Sequence, residues 1–291
     1  DMIKTAVIGA SGYIGHHLFR KYRETFPDCI GTSYHQIKED LIPFDLRNPH
    51  CEDLNLTETG HQAVIIASAK PNIAWCQSHP KESYEINVRG TLNLVKQLTK
   101  HSIHILFFSS DYVFDGESGC YSDKDLPNPN TEYGKQKAEV EREIPNLTDR
   151  YTILRLSKIY GTTRQDNTLI DGMAADLRNG KKLMVAKDQF FSPTHVDDVV
   201  SMTHFVQKEK INGLINLCHA DVWSRYEIAH ELAKKLQIPT SVLIDQPLHT
   251  IPGMEGRPLN TSLIPSIVLH PLRPSLISIQ EAIKKVASNW R

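Results

Sequence analysis

Residues 3–8 (IKTAVI) form an apolar, strand-like run, and Gly9-Ala10-Ser11-Gly12-Tyr13-Ile14-Gly15 follows it directly. An amphipathic run over residues 13–24 comes next. Glycine at these places lets a strand-to-helix turn close tightly and bring backbone N–H groups against a pyrophosphate. The helix N-terminus adds its partial positive charge. A glycine triad alone is satisfied equally by a tight turn that binds nothing. Its position after a first strand and before a first helix is what gives it weight. Gly9, Ser11, Gly12, Tyr13, Ile14 and Gly15 are therefore expected to cradle a dinucleotide phosphate.

The rhythm that follows supports this. Strand patterns at 29–34, 63–67, 103–109 and 151–156 alternate with helical patterns at 80–100 and 131–144. Each parallel crossover needs a covering helix, so the alternation implies a parallel, doubly wound α/β sheet. After residue 157 the rhythm loosens. Helical patterns at 167–179, 196–208, 224–237 and 275–288 are separated by short strands and turns, and residues 239–274 carry seven prolines. We expect a nucleotide-binding domain over 1–160, with 196–218 returning to it. Residues 161–195 and 219–291 are expected to form a smaller substrate-binding lobe.

The whole chain narrows the function classes. It has 291 residues and a net charge of -1, so no global field draws it to nucleic acid or an anionic membrane. No run approaches the roughly 20 apolar residues that span a bilayer, and no leader pattern opens the sequence. The five cysteines are scattered and lack CxxC spacing. We expect no disulfide framework, no metal site and a cytoplasmic setting.

Dinucleotide folds often carry an Asp or Glu about 20 residues beyond the glycines, on the adenosine ribose. Here the second strand ends in Gly31-Thr32-Ser33-Tyr34-His35, without a carboxylate. Small hydroxyl residues with His35 and Lys38 suit a 2′-phosphate, so NADP(H) is favoured and NAD(H) allowed. Both side chains serve equally well as solvated loop residues. Asp45-Leu46, after the next extended run, is placed to contact adenine or to cap the turn at Asn48-Pro49.

Ser109-Ser110-Asp111-Tyr112 closes the fourth strand at its C-terminal end, where open α/β sheets bind ligands. Tyr133-Gly134-Lys135-Gln136-Lys137 then opens a helix. Residues four apart share a helix face, so Tyr133 and Lys137 point the same way. An ammonium near a phenol favours its phenolate, and a tuned tyrosine can exchange the proton of a carbonyl or alcohol. A nearby serine can hold the same oxygen. Singly, each of these features is common and often only structural; in this order they point to hydride-transfer chemistry.

Together these features resemble the extended short-chain dehydrogenase/reductase superfamily, whose fold is a Rossmann-type doubly wound sheet with a C-terminal substrate lobe. More narrowly, the chain resembles the dTDP-4-dehydrorhamnose reductase family. SSDYVFDG (109–116) is similar to that family's STDYVFDG, and YGKQK (133–137) continues the match. QSHPKESYEINVRGTLNL (77–94), DQFFSPTHVDDV (188–199) and RPLNTSL (257–263) are similar to three further motifs.

The resemblance implies an NAD(P)H-dependent reductase of a keto group on a nucleotide-activated deoxysugar. Ser110 takes the place of the family's threonine. Tyr133 becomes the general acid, and Lys137 the residue that binds the nicotinamide ribose and tunes Tyr133. Ala67, Ser68 and Ala69 would flank the cofactor, and Asp111 and Tyr112 the substrate. Arg257 would lie near the nucleotide end or form a salt bridge. The sequence departs from the family at Lys158, where the family carries tryptophan, and at Ile264, where it carries aspartate. Lys158 is expected either to touch substrate or to pair with Asp111 or Asp188. Relatives also include epimerases and dehydratases, and regulatory subunits without turnover. The helices at 80–100 and 131–144 can pair across a two-fold axis, giving a homodimer.

Overall fold

The computed structural model describes residues 1–34, 38–68 and 72–291. In chain order the first elements are β1 (Thr5–Ile8), α1 (Tyr13–Thr25), β2 (Thr32–Ser33), β3 (Ile42–Pro43) and β4 (Ala63–Ile66). Then come α2 (Ile73–Ser78), α3 (Pro80–Tyr84), α4 (Thr91–Leu98), β5 (His104–Ser110), α5 (Glu132–Leu147) and β6 (Tyr151–Leu156). The remainder holds β7 (Ile159–Tyr160), α6 (Leu169–Arg178), β8 (Leu183–Val185), β9 (Phe190–Phe191), β10 (Thr194–His195) and α7 (Val196–Lys208). It ends with β11 (Gly213–Leu217), β12 (Trp223–Ser224), α8 (Arg225–Lys235), β13 (Leu243–Asp245) and α9 (Ile279–Asn289).

These elements form two compact units. The first comprises Asp1–Val113, Thr131–Arg155 and Val200–Ile215. The second comprises Phe114–Asn130, Leu156–Val199 and Asn216–Arg291.

The first unit is built on a sheet of order β1-β4-β5-β6-β11, in which β1 pairs β4 and β4 pairs β5 in parallel. A parallel bridge between Val7 and Gly31 attaches β2 to the free side of β1, and β3 lies parallel beyond β2. The chain thus winds outward from β1 in both directions. The reversal between β1 and β4 is the place where doubly wound sheets open a ligand crevice at their carboxyl ends. Residues of β1 and β4 are buried throughout, as parallel strands covered on both faces require. Leu94, Val95 and Leu98 of α4 and Val140 and Ile144 of α5 join Ile8, Val64, Ile66, Ile105 and Ile153 in one core.

The expected helix over 80–100 is helical along its length but not uniform. A wider, π-helical turn over Glu85–Gly90 separates α3 from α4. Gly90 permits this path, since a Cβ there would lie 2.1 Å from the Leu46 carbonyl oxygen. The turn contains buried Asn87, whose Nδ2 donates to Gln136 Oε1 at 2.8 Å; Gln136 Nε2 donates to Ser83 Oγ at 2.7 Å.

The second unit packs α6, α8 and α9 around Ile170, Met173, Ile228, Leu232, Ile283 and Val286. Ser224 and Glu227 close the start of α8 as a capping box. The segment Phe114–Asn130 groups here rather than with the first unit. Asn260 N donates to Gly116 O at 2.9 Å, and Tyr121 bridges Leu263. Gly116 has φ +77, and a Cβ on it would lie 2.5 Å from Pro258. Among the described residues no helix is long and apolar enough to cross a membrane. Nor do three or more His, Cys, Asp or Glu side chains among them form a metal cage.

Candidate active site

The glycine turn is built as its spacing requires. Gly9 has φ +92, where L side chains are strained, and a Cβ on it would lie 2.6 Å from Ser68 Cβ. A Cβ on Gly15 would lie 2.1 Å from Gly9 O, so α1 starts pressed against the turn. Gly12 caps α1 with no side-chain hydrogen bond, so no side chain of the cap covers the start of the helix. Ser11 lies within the turn; Tyr13 and Ile14 begin α1, half-buried, and Tyr13 sits edge-on to His17.

Ala67 N donates to Ile8 O at 2.9 Å, which sets Ala67 and Ser68 at the carboxyl end of β4 beside the turn. The Ser68 hydroxyl is buried and has no hydrogen-bond partner among the described residues. An open helix start, a turn that excludes side chains and an unmatched hydroxyl beside it fit a dinucleotide phosphate group. Ala69 and His35 lie outside the described residues.

Asp45, expected to contact adenine or to cap a turn, closes the turn that follows β3. Asp45 is tied to Arg47, whose Nη2 lies 3.0 Å from Oδ2, and it accepts the Arg47 N–H at 2.9 Å. The Arg47 guanidinium also stacks over the Tyr34 ring, 5.2 Å from its centroid, and bonds the Tyr34 hydroxyl. Leu46 is buried beneath. Lys38 is exposed. Burial, then the charges of Arg20, His17 and Lys38, hold the His16 imidazole below its ordinary range. Cationic groups, with the Asp40 carboxylate acting against them, therefore lie near the first turns of α1. Arg47 and Arg20 escaped the sequence reading because single arginines in a loop or on a helix carry no motif.

Ser110, Tyr133 and Lys137 converge within the first unit. Ser110 ends β5; its hydroxyl donates to Asp111 Oδ1 at 3.1 Å and accepts the Tyr112 N–H at 3.0 Å. Thr131 caps α5 by accepting the Gly134 N–H at 3.0 Å, which sets Tyr133 in the first turn. The Tyr112 and Tyr133 rings meet edge-on, with centroids 6.2 Å apart. Burial pushes the Tyr133 phenol above its ordinary value of 10, and the Asp111 carboxylate pushes the same way. A hydrogen bond with Ser110 acts against both. The phenol is therefore protonated at neutral pH.

Lys137 is buried and donates from Nζ to Phe108 O at 2.8 Å, with Nζ 5.8 Å from the Tyr133 ring centroid. Burial brings its ammonium down from 10.5 to about 8, against the opposing pull of Glu141. The spacing of Tyr133 and Lys137 suggests an ammonium that favours the phenolate; burial, which disfavours it, is the largest influence on Tyr133. Beneath these residues lies a buried group that the sequence reading passed over. Ser109 Oγ donates to Glu141 Oε2 at 2.5 Å, and Arg155 grips Glu141 through Nε and Nη2, the latter at 2.7 Å.

Lys158 and Arg257 belong to the second unit. The Lys158 carbonyl accepts the Thr194 N–H at 2.9 Å. Arg257 follows a turn closed by its N–H on Met254 O at 3.2 Å, and its side chain is half-buried.

Residues 3–291 match the family model described as the RmlD substrate binding domain. The chain belongs to that family. The Methionine adenosyltransferase 2 subunit beta of Xenopus tropicalis is 26% identical over 311 residues, covering 99% of this chain and 90% of that one. The dTDP-4-dehydrorhamnose reductase of Aggregatibacter actinomycetemcomitans is 25% identical over 299 residues, covering 100% and 96%.

Among solved structures, a hypothetical dTDP-4-dehydrorhamnose reductase from Sulfolobus tokodaii superimposes with a TM-score of 0.83 at 24% identity. That match covers 96% of this chain and 99% of the other. The dTDP-4-dehydrorhamnose reductase from Bacillus anthracis, in complex with NADP, gives 0.79 at 20%, covering 99% and 100%. The RmlD-family fold is thus common to the whole length of this chain.

Proposed function

We propose that this chain is an NAD(P)H-dependent reductase of a keto group on a nucleotide-activated deoxysugar, of the dTDP-4-dehydrorhamnose reductase kind. The observation that carries the reading is the convergence of Ser110, Tyr133 and Lys137 in the unit that holds the glycine turn. When bound, the reduced nicotinamide supplies the hydride. The backbone N–H groups of the glycine turn and the Ser68 hydroxyl would hold the phosphates. Ser110 would hold the substrate carbonyl oxygen and orient it toward Tyr133.

The protonated phenol of Tyr133 then gives its proton to that oxygen as the alcohol forms, while the Lys137 ammonium limits the cost of the phenolate left behind. Asp111 and Tyr112 border the substrate. The absence of a carboxylate at the end of β2, with Lys38 beyond it, favours NADP(H) over NAD(H). Lys158, in place of a tryptophan, offers a flexible cation that suits a carboxylate, a phosphate or extra hydroxyls better than a methyl-bearing ring face.

The test is a turnover screen. Several 4-keto sugar nucleotides, dTDP-4-dehydrorhamnose among them, are offered with NADPH and with NADH, and the loss of reduced cofactor is followed. Net loss with at least one substrate, faster or tighter with NADPH, is expected. A second reading is favoured by the first relatives' name, methionine adenosyltransferase 2 subunit beta. A regulatory subunit would bind the cofactor and consume none with any substrate.

A further inference from the structure

We propose that Glu141 is a positioning residue for the Lys137 ammonium, locked in place by Arg155 and Ser109. The inference rests on the reading of Lys137 given above and adds the group that holds its charge. Three successive residues at the end of β5 each engage one member of the cluster. Phe108 O accepts from Lys137 Nζ at 2.8 Å. Ser109 Oγ donates to Glu141 Oε2 at 2.5 Å. The Ser110 hydroxyl lies close enough to the Tyr133 phenol to oppose the effect of burial on it. Tyr133, Lys137 and Glu141 follow one another at four-residue intervals, so they lie along one face of α5.

Arg155 on β6 completes the arrangement, with Nε 3.2 and 3.1 Å from the two Glu141 carboxylate oxygens and Nη2 2.7 Å from one. Arg155 is only 2% exposed and Glu141 6%. Packing alone does not call for such a pair, because apolar residues of similar volume generally fill a core at no loss of stability.

Titratable and charged groups surround Lys137 and its neighbours on α5: Tyr133 and Glu141 on α5 itself, Cys76 on α2, Asp111 and Tyr112 just after β5 beside Tyr133, and Arg155 on β6 against Glu141. Burial works against the ammonium, and the Glu141 carboxylate is the strongest influence that favours it. Without Glu141, Lys137 and Arg155 would be two cations in one dry region. Arginine keeps its proton there, so lysine would lose its own. Arg155 in turn fixes the carboxylate, and the Ser109 hydroxyl fixes its second oxygen.

The experiment follows the Lys137 side chain by NMR titration in the cofactor-free full-length protein, with the signal assigned through Lys137→Arg. Glu141→Gln is expected to lower the pH of its titration by at least about one unit. Arg155→Gln removes the second buried cation while Ser109 still holds the carboxylate, so it is expected to raise that pH, and the double variant Glu141→Leu/Arg155→Leu should fall between. If Glu141→Gln fails to fold, the contrast between the other two carries the test.

A purely structural role would lower the melting temperature in each variant and leave the titration unmoved. That result, or a reversed order, overturns the proposal. Because no cofactor or substrate is present, failure here speaks against Glu141 alone. Absence of turnover in the unmodified protein speaks against the reductase reading instead.

Discussion

At the scale of single residues, the proposed chemistry rests on a phenol kept protonated and an ammonium kept in a dry place. Changing Tyr133 to Phe removes the proton donor and keeps the ring. Turnover should fall roughly 10²–10⁴-fold while the cofactor dissociation constant stays within about twofold. Steady-state kinetics and a fluorescence titration check this. Lys137 carries a stability cost as well. Below about pH 8 the lysine is charged in both folded and unfolded chains, and the burial cost is fully present. Between about 8 and 10.5 the folded chain holds fewer protons than the unfolded one, so stability rises with pH and the cost fades. Lys137→Met should therefore stabilise the protein at pH 7, by on the order of 3 kcal/mol at most, with no gain above pH 10.5. Urea unfolding at pH 7 and at high pH measures the difference.

That Ser110, Tyr133 and Lys137 fold into one unit was legible in the sequence, because their order and spacing make a pattern. Glu141 and Arg155 were not. One carboxylate on a helix and one arginine on a strand normally face water, and only the fold reveals that both are buried against each other. Asp45 shows the same limit. Its place in the chain allowed a nucleotide contact or a turn cap, and the structure adds an Arg47 partner that the sequence did not suggest.

At the scale of elements, close backbone approach decides where glycine is needed. Gly15→Ala would press a methyl group against Gly9 O, so the start of α1 must shift. We expect a loss of about 1–3 kcal/mol in stability together with at least tenfold weaker cofactor binding. Thermal unfolding and cofactor titration test the two effects separately. Normal cofactor binding with lowered stability would reduce the turn to a structural feature. The strand–helix alternation was readable because each strand is a short buried run between longer amphipathic ones. The π-helical turn at Glu85–Gly90 was not readable. It adds one residue to a turn without breaking the apolar pattern, and its signal, an inward Asn87 bonded to Gln136, is tertiary. The placement of Phe114–Asn130 in the second unit was equally hidden, because it depends on pairing with residues 258–263, far along the chain.

At the scale of the whole molecule, buried imidazoles set the response to acid. Burial holds His61 and His204 down to about 4, from 6.5. His61 Nε2 accepts the Ile30 N–H at 3.1 Å, which a protonated ring cannot do. As pH falls from 6.5 toward 4 the unfolded chain takes up these protons first, and stability is lost. Asp198 acts the other way. Its carboxyl is raised from 3.8 to about 6 by burial, so it contributes stability as pH falls through that window. His104 and His16 are held below 6.5 in the same direction, so the imidazoles outweigh the one carboxyl and acid leaves a net loss of stability between pH 6.5 and 4. Urea midpoints across that range should fall, and His204→Phe should flatten the slope.

The central claim is that Tyr133 and its neighbours serve net hydride delivery to a sugar-nucleotide ketone. The most direct measurement uses NADPH carrying deuterium at the transferred position, with mass spectrometry of the sugar nucleotide. Incubated with a 4-keto sugar nucleotide, the unmodified protein should yield an alcohol carrying one deuterium per cofactor oxidised, and Tyr133→Phe should yield far less in the same time. A protein that binds NADPH yet leaves every sugar nucleotide unlabelled would contradict the account.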